Sequence, residues 1–115
     1  MNIQIFGTTK CFETKKAQRY FKERNISVQM IDLKEKQLSK REYLSVKQSV
    51  KGVENLINTE CKDQTTIALI RHMSGEDQDE KILENQQILK TPIVRNGTKA
   101  TVGYQPKIWE EWAKG

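Results

Sequence analysis

The sequence holds only two cysteines, Cys11 and Cys61, one histidine and two prolines in 115 residues. Two cysteines are too few for the disulfide framework of a small secreted domain, and in a reducing compartment each is a free thiol unless it does redox work. There is no CxxC pair, and a lone histidine, His72, reads as a surface residue, so no metal site is expected. No apolar run approaches a membrane span of about 20 residues. The opening Met1-Asn2-Ile3-Gln4-Ile5-Phe6 lacks the basic segment and long apolar stretch of a signal peptide. A cytoplasmic protein without a membrane partner is the expectation. What is present is charge: 30% of residues are charged and 36% hydrophobic. The balance of 20 basic against 15 acidic residues leaves a net +5, dispersed along the chain. That reads as a solvated basic surface, and direct nucleic-acid binding is not expected. The length suits one domain over 1–115, large enough to bury a core without disulfides or metal.

The periodicities give an α/β order. Ile3 to Phe6 is a short apolar strand, broken at Gly7-Thr8-Thr9-Lys10, where Thr8 or Thr9 is expected to cap a helix. From Phe12 to Arg24, Ala17, Tyr20 and Phe21 recur at helical spacing, and Asn25 is a stop. Ser27 to Ile31 alternates as a second strand, with Val28 and Met30 on one face. Strand, helix and strand in this order make a right-handed βαβ unit with parallel strands.

The middle, about 39–89, reads as entirely helical. Ser39-Lys40-Arg41-Glu42 is a capping box, and Tyr43, Val46 and Val50 share the face of the helix it opens. Thr65 to Met73 carries Ile67, Leu69 and Ile70, and Glu76 to Leu89 carries Ile82, Leu83 and Leu89. The period then changes. Pro92 to Arg95 and Lys99 to Val102 flank Asn96-Gly97, a strong hairpin signal. Pro106 suits the first turn of a last helix, with Ile108, Trp109 and Trp112 on its apolar face. A βαβ unit, a helical insertion, a β-hairpin and a closing helix form a thioredoxin-like skeleton.

On that skeleton Cys11 falls between the first strand and the first helical turn. Unpaired backbone N–H groups and the helix dipole there favour a thiolate, which makes the sulfur nucleophilic near neutral pH. Thr14, three residues on, is placed to donate a hydroxyl hydrogen bond to it, and Lys10, Lys15 and Lys16 add positive charge. Thr91-Pro92 precedes the hairpin, and in this skeleton that proline is expected to be cis and to face the cysteine. Cys61 reads as a free, partly buried thiol.

Gly7-Thr8-Thr9-Lys10-Cys11, Thr14-Lys15-Lys16-Ala17 and Ile31-Asp32 resemble the N-terminal segment of the arsenate reductase ArsC/Spx family. Leu89-Lys90-Thr91-Pro92-Ile93-Val94 and Val102-Gly103-Tyr104 resemble its C-terminal segment, and Leu56-Ile57-Asn58-Thr59 a segment between. The resemblance covers essentially the whole chain and is nearest to the monothiol YffB-like members, on Lys15-Lys16-Ala17. It implies a thioredoxin-like fold in which Cys11 is the nucleophile, with Thr14 beside it and with Lys10, Thr91 and Pro92 binding substrate. It also implies a glutathione-dependent thiol reductase, or a diverged arsenate-reductase-like activity on an oxyanion. Glutathione would be the co-substrate, glutaredoxin a partner, and no cofactor would be bound. The family's oxyanion-binding arginines correspond to Asn58, Thr91 and the Val102-Gly103 region, so the guanidinium forks that grip an oxyanion are absent here. Arg95 and Lys99 are near in sequence but not at those positions. The alternative that the resemblance implies is an Spx-like regulator that binds RNA polymerase without catalysis.

Overall fold

The computed structural model describes residues 1–115. Strand β1 (Ile3–Gly7), helix α1 (Phe12–Glu23) and strand β2 (Val28–Asp32) form the expected unit, with β1 and β2 parallel and Ile5 opposite Met30. Strands β3 (Ile93–Asn96) and β4 (Lys99–Val102) form the hairpin, and β3 runs antiparallel to β1. The sheet order is β2-β1-β3-β4.

Alternation along the strands sends apolar side chains to both faces, so each face needs a cover. Ile3, Ile5 and Val94 pack with Ala17, Tyr20 and Phe21 of α1 and with Trp109 of helix α5 (Pro106–Lys114). Phe6, Ile31 and Ile93 turn to the other face. There they meet helices α2 (Lys40–Ser49), α3 (Gln64–Arg71) and α4 (Gly75–Glu84) through Tyr43, Val46, Ile67, Ile70 and Ile82. The result is three layers, with the thioredoxin-like skeleton and its helical insertion as expected. No helix is long and apolar enough to cross a membrane.

Local signals mark several element ends. Ser39 accepts from Glu42 N–H while the Glu42 carboxylate accepts from Ser39 N–H, so the capping box is complete. Asn25 ends α1 at φ 56, in the left-handed region that asparagine tolerates better than most residues. Pro106 stands at the start of α5, where its missing N–H leaves no bond unmade. A polar triad ties α2 to α4: Tyr43 Oη donates to Asp79 Oδ1 at 2.7 Å and Lys47 Nζ pairs with it at 2.9 Å.

Several expectations need correction. The middle is not entirely helical. Ile57 forms an antiparallel bridge with Leu89, and residues 56–63 between two helical pieces are extended or turning. Asn85 also interrupts the last of these helices, leaving a short 3-10 turn at Gln86–Ile88. Gln86 explains that break, because its buried side chain holds both Leu38 N–H and Leu38 C=O. Neither Thr8 nor Thr9 caps α1. Cys11 itself holds the N-cap position and makes no side-chain cap bond. The hairpin loop is Gly97-Thr98, with Asn96 still paired to Lys99, because Gly97 supplies the positive φ of 63 at the first loop position. Leu69 and Ile108 lie on solvent faces, at 47% and 42% exposure.

Candidate active site

The loop leaving β1 is short and held by its own backbone. Cys11 N–H donates to Thr8 C=O at 3.2 Å, and Cys11 C=O accepts from Lys15 N–H at 3.3 Å, the first helical bond of α1. The sulfur therefore stands where the N–H groups of Glu13 and Thr14 have no intrahelical acceptor. The start of α1 comes close to β1 at Gly7. A methyl group on Gly7 would overlap the Thr14 hydroxyl and lie 2.6 Å from Thr14 Cγ2. Glycine there allows Thr14 to be buried against the strand.

The segment before β3 supplies the facing wall. The Thr91-Pro92 peptide is cis, as expected. Thr91 Oγ1 lies 3.1 Å from Cys11 Sγ, and the Thr91 carbonyl is 3.6 Å from the same sulfur. Pro92 is buried, and its carbonyl accepts from Gly103 N–H at 2.8 Å, which fixes Gly103 beside this segment. Gly103 has φ 81, a backbone setting that suits glycine.

Partial burial pushes the Cys11 thiol up. The hydroxyls of Thr14 and Thr91 and the backbone N–H groups of Thr14 and Glu13 pull it down by more, so the thiol stands below its ordinary value. Thr14 itself is buried against the end of β1. Its hydroxyl is close enough to favour the thiolate, yet it makes no hydrogen bond of ordinary geometry and is otherwise unpartnered in a residue only 1% exposed. A buried hydroxyl without an acceptor is unfavourable, and a negatively charged sulfur would answer it.

A cleft of about 420 Å³ opens over the sulfur. Cys11, Thr91 and Gly103 form its base, and Asn58, Thr59 and Glu60 form one side. Glu13 and Lys90 complete the lining. The Ile57–Leu89 bridge brings the second group here, with Asn58 N–H donating to Ile88 C=O and Lys90 N–H to Leu56 C=O, both at 2.8 Å. Asn58 Oδ1 then accepts from Glu60 N–H at 3.1 Å and holds the turn. A larger cleft of about 520 Å³ adjoins it, sharing Asn58 and Thr91, but does not include Cys11.

Of the residues singled out from the sequence, Cys11, Thr14, Thr91 and Pro92 come together. Lys10 is exposed and lines no part of the cleft. Lys16 turns away, with its ammonium 4.4 Å from the Tyr104 ring centre and 5.8 Å from that of Phe12. Cys61 is a free thiol whose sulfur lies 3.6 Å from the Gln87 carbonyl, outside the lining. The positions that the resemblance pairs with arginines, Asn58, Thr91 and Gly103, do line the cleft. Glu13, Thr59, Glu60 and Lys90 were not singled out. Glu13 and Lys90 are near neighbours of Cys11 and Thr91 in the chain, which is the available signal, whereas Thr59 and Glu60 reach the cleft through the Ile57–Leu89 bridge.

Comparison with known proteins bears on the fold and the family. The uncharacterized protein YusI of Bacillus subtilis (strain 168) is 26% identical over 98% of this chain and 100% of its own length. An arsenate reductase from Vibrio cholerae is 21% identical, with a TM-score of 0.79 over 96% of this chain and 97% of that one. A YffB protein is 18% identical, with a TM-score of 0.73 over the same shares. Structural likeness at these identities carries the fold. The model of the ArsC family matches residues 6–112, nearly the whole length, and the chain belongs to that family.

Proposed function

We propose that this protein is a monothiol reductase in which Cys11 is the nucleophile. The observation that carries the reading is the Thr91 hydroxyl 3.1 Å from Cys11 Sγ, at a sulfur that already sits on the free N–H groups of a helix start. Both favour the thiolate, the form that attacks disulfides. The buried Thr14 hydroxyl, without another partner, also favours the thiolate. Thr91 lines the cleft and is the wall against which a substrate sulfur is aligned, while Pro92, buried behind it, fixes the position of Thr91.

The reaction balances with one protein thiol. Cys11 thiolate attacks the glutathione sulfur of a mixed disulfide, the Cys11–S bond forms, the substrate S–S bond breaks, and the substrate leaves as a thiolate. A second glutathione thiolate then attacks the Cys11–glutathione disulfide, releasing oxidised glutathione and restoring Cys11. Cys61 lies outside the cleft, so the resolving thiol comes from outside the chain. A glutaredoxin-type partner is an equivalent source.

The test is the pH dependence of Cys11 alkylation in wild type and Cys61→Ser, with and without oxidised glutathione. The reading expects a reactive thiol well below the ordinary value of about 8.5, with one glutathione on Cys11 in both proteins. Slow alkylation at an unshifted pKa, with no glutathione adduct, would overturn it.

A further inference from the structure

We propose that the carboxylates of Glu13 and Glu60 make the Cys11 cleft select disulfides whose groups next to sulfur are neutral or cationic, and reject oxyanions. This rests on the monothiol reading above and names the substrate class for that site, in which glutathione counts as neutral because peptide groups, not its carboxylates, flank its cysteine.

The lining carries the argument. The charged residues of the lining are Glu13, Glu60 and Lys90, two carboxylates against one ammonium. Glu13 Oε2 lies 3.7 Å from where a side chain on Gly103 would begin, which places this carboxylate beside Gly103 in the lining. The Glu60 N–H donates to Asn58 Oδ1, which fixes the Glu60 backbone at the edge of the cleft. The nearby lysines do not reverse the balance. Lys10 and Lys15 are exposed and outside the lining, and the Lys16 ammonium lies over the Tyr104 ring. The buried, unpartnered Thr14 hydroxyl is an independent sign that the group acting here is a sulfur anion. With Cys11 ionised, an arriving arsenate meets three negative groups against one ammonium, and no guanidinium. A cationic disulfide meets attraction from the same groups. One net charge at about 7 Å in water changes a rate about threefold per unit of probe charge.

The step is thiolate–disulfide exchange: Cys11–S⁻ attacks R–S–S–R, forms Cys11–S–S–R and releases RS⁻. Three probes differ mainly in charge: cystamine (cationic), hydroxyethyl disulfide (neutral) and 3,3′-dithiodipropionate (anionic). Each rate constant with Cys61→Ser protein at low salt is divided by that with mercaptoethanol, which removes intrinsic reactivity. The expected order is cationic, neutral, anionic, separated by about threefold or more per step. The spread should narrow at about 0.5 M salt and reverse in the Glu13→Gln/Glu60→Gln variant, where Lys90 is the one charged side chain left in the lining, and millimolar arsenate should not protect Cys11 from alkylation. Equal normalised rates, an anionic preference, a spread unchanged in the double variant, or arsenate protection would overturn the proposal while leaving Cys11 a reactive thiol. No reaction even with hydroxyethyl disulfide would overturn the monothiol reading itself, and this inference with it.

Discussion

Replacing Thr91 by valine keeps the β-branched shape and removes the hydroxyl 3.1 Å from Cys11 Sγ. A hydrogen bond to a charged group contributes about 1.5–3 kcal/mol. The thiol is partly exposed, so the low end applies. About 1.4 kcal/mol is tenfold in an equilibrium, so at pH below the thiol pKa the variant holds about ten times less thiolate. A thiolate of higher pKa is also the better nucleophile, and a Brønsted slope of about 0.45 returns about threefold. The Thr91→Val protein should therefore attack hydroxyethyl disulfide about three to four times more slowly at low pH, and about three times faster once both proteins are fully ionised. The two pH–rate profiles cross. The assay is the second-order rate constant across pH in the Cys61→Ser background, with adduct mass confirming Cys11 as the site. Thr91→Ser should restore the original profile. Superimposed profiles would show that the hydroxyl does not act on the sulfur. A variant slower at every pH would show that valine displaced the sulfur instead, and either result refutes the reasoning.

Three further predictions follow from the same contacts. Because the Cys11 thiol is lowered in the folded protein, the native state releases its proton at a pH where the unfolded chain keeps it. The stability of wild type relative to Cys11→Ser should therefore rise with pH from the lowered native pKa to the unfolded value of about 8.5 and then level off; urea titrations showing a flat difference would contradict this. Gly7→Ala places a methyl group on Thr14, which is buried and cannot swing into water, so thermal unfolding should report a loss of about 1–3 kcal/mol, with slower Cys11 alkylation. An unchanged protein would mean that the α1–β1 approach is looser than described. Tyr43→Phe removes the 2.7 Å bond to Asp79, while Lys47 still holds that carboxylate. Urea unfolding should show a loss of about 1.5–3 kcal/mol, and a change below about 0.5 kcal/mol would remove the triad from the account of how α2 and α4 are joined.

The placement of Cys11 was legible because its determinants are local: a β-run ends, a helical period begins, and the cysteine stands between. The same holds for Ser39 with Glu42, and for Pro106, whose partners lie within a turn of the chain. The short apolar run at Ile57 misled. A single bridge to Leu89 has no period for a sequence pattern to register, and flanking helical segments dominate the reading.

Sequence by itself determined the order of strands and helices, the thiol at the first helix start and the X-Pro segment before the hairpin, because hydrophobic period, capping and turn chemistry act between near neighbours. Tertiary structure alone decided what surrounds the sulfur. Thr91 reaches Cys11 from 80 positions away, the Ile57–Leu89 bridge swings Asn58 and Glu60 over the cleft, and Glu13 comes beside Gly103, 90 residues on, through the packing of α1 against the hairpin end. Such contacts depend on how whole layers pack and on which side chains are left without partners, and neither quantity is written in the spacing of residues along the chain.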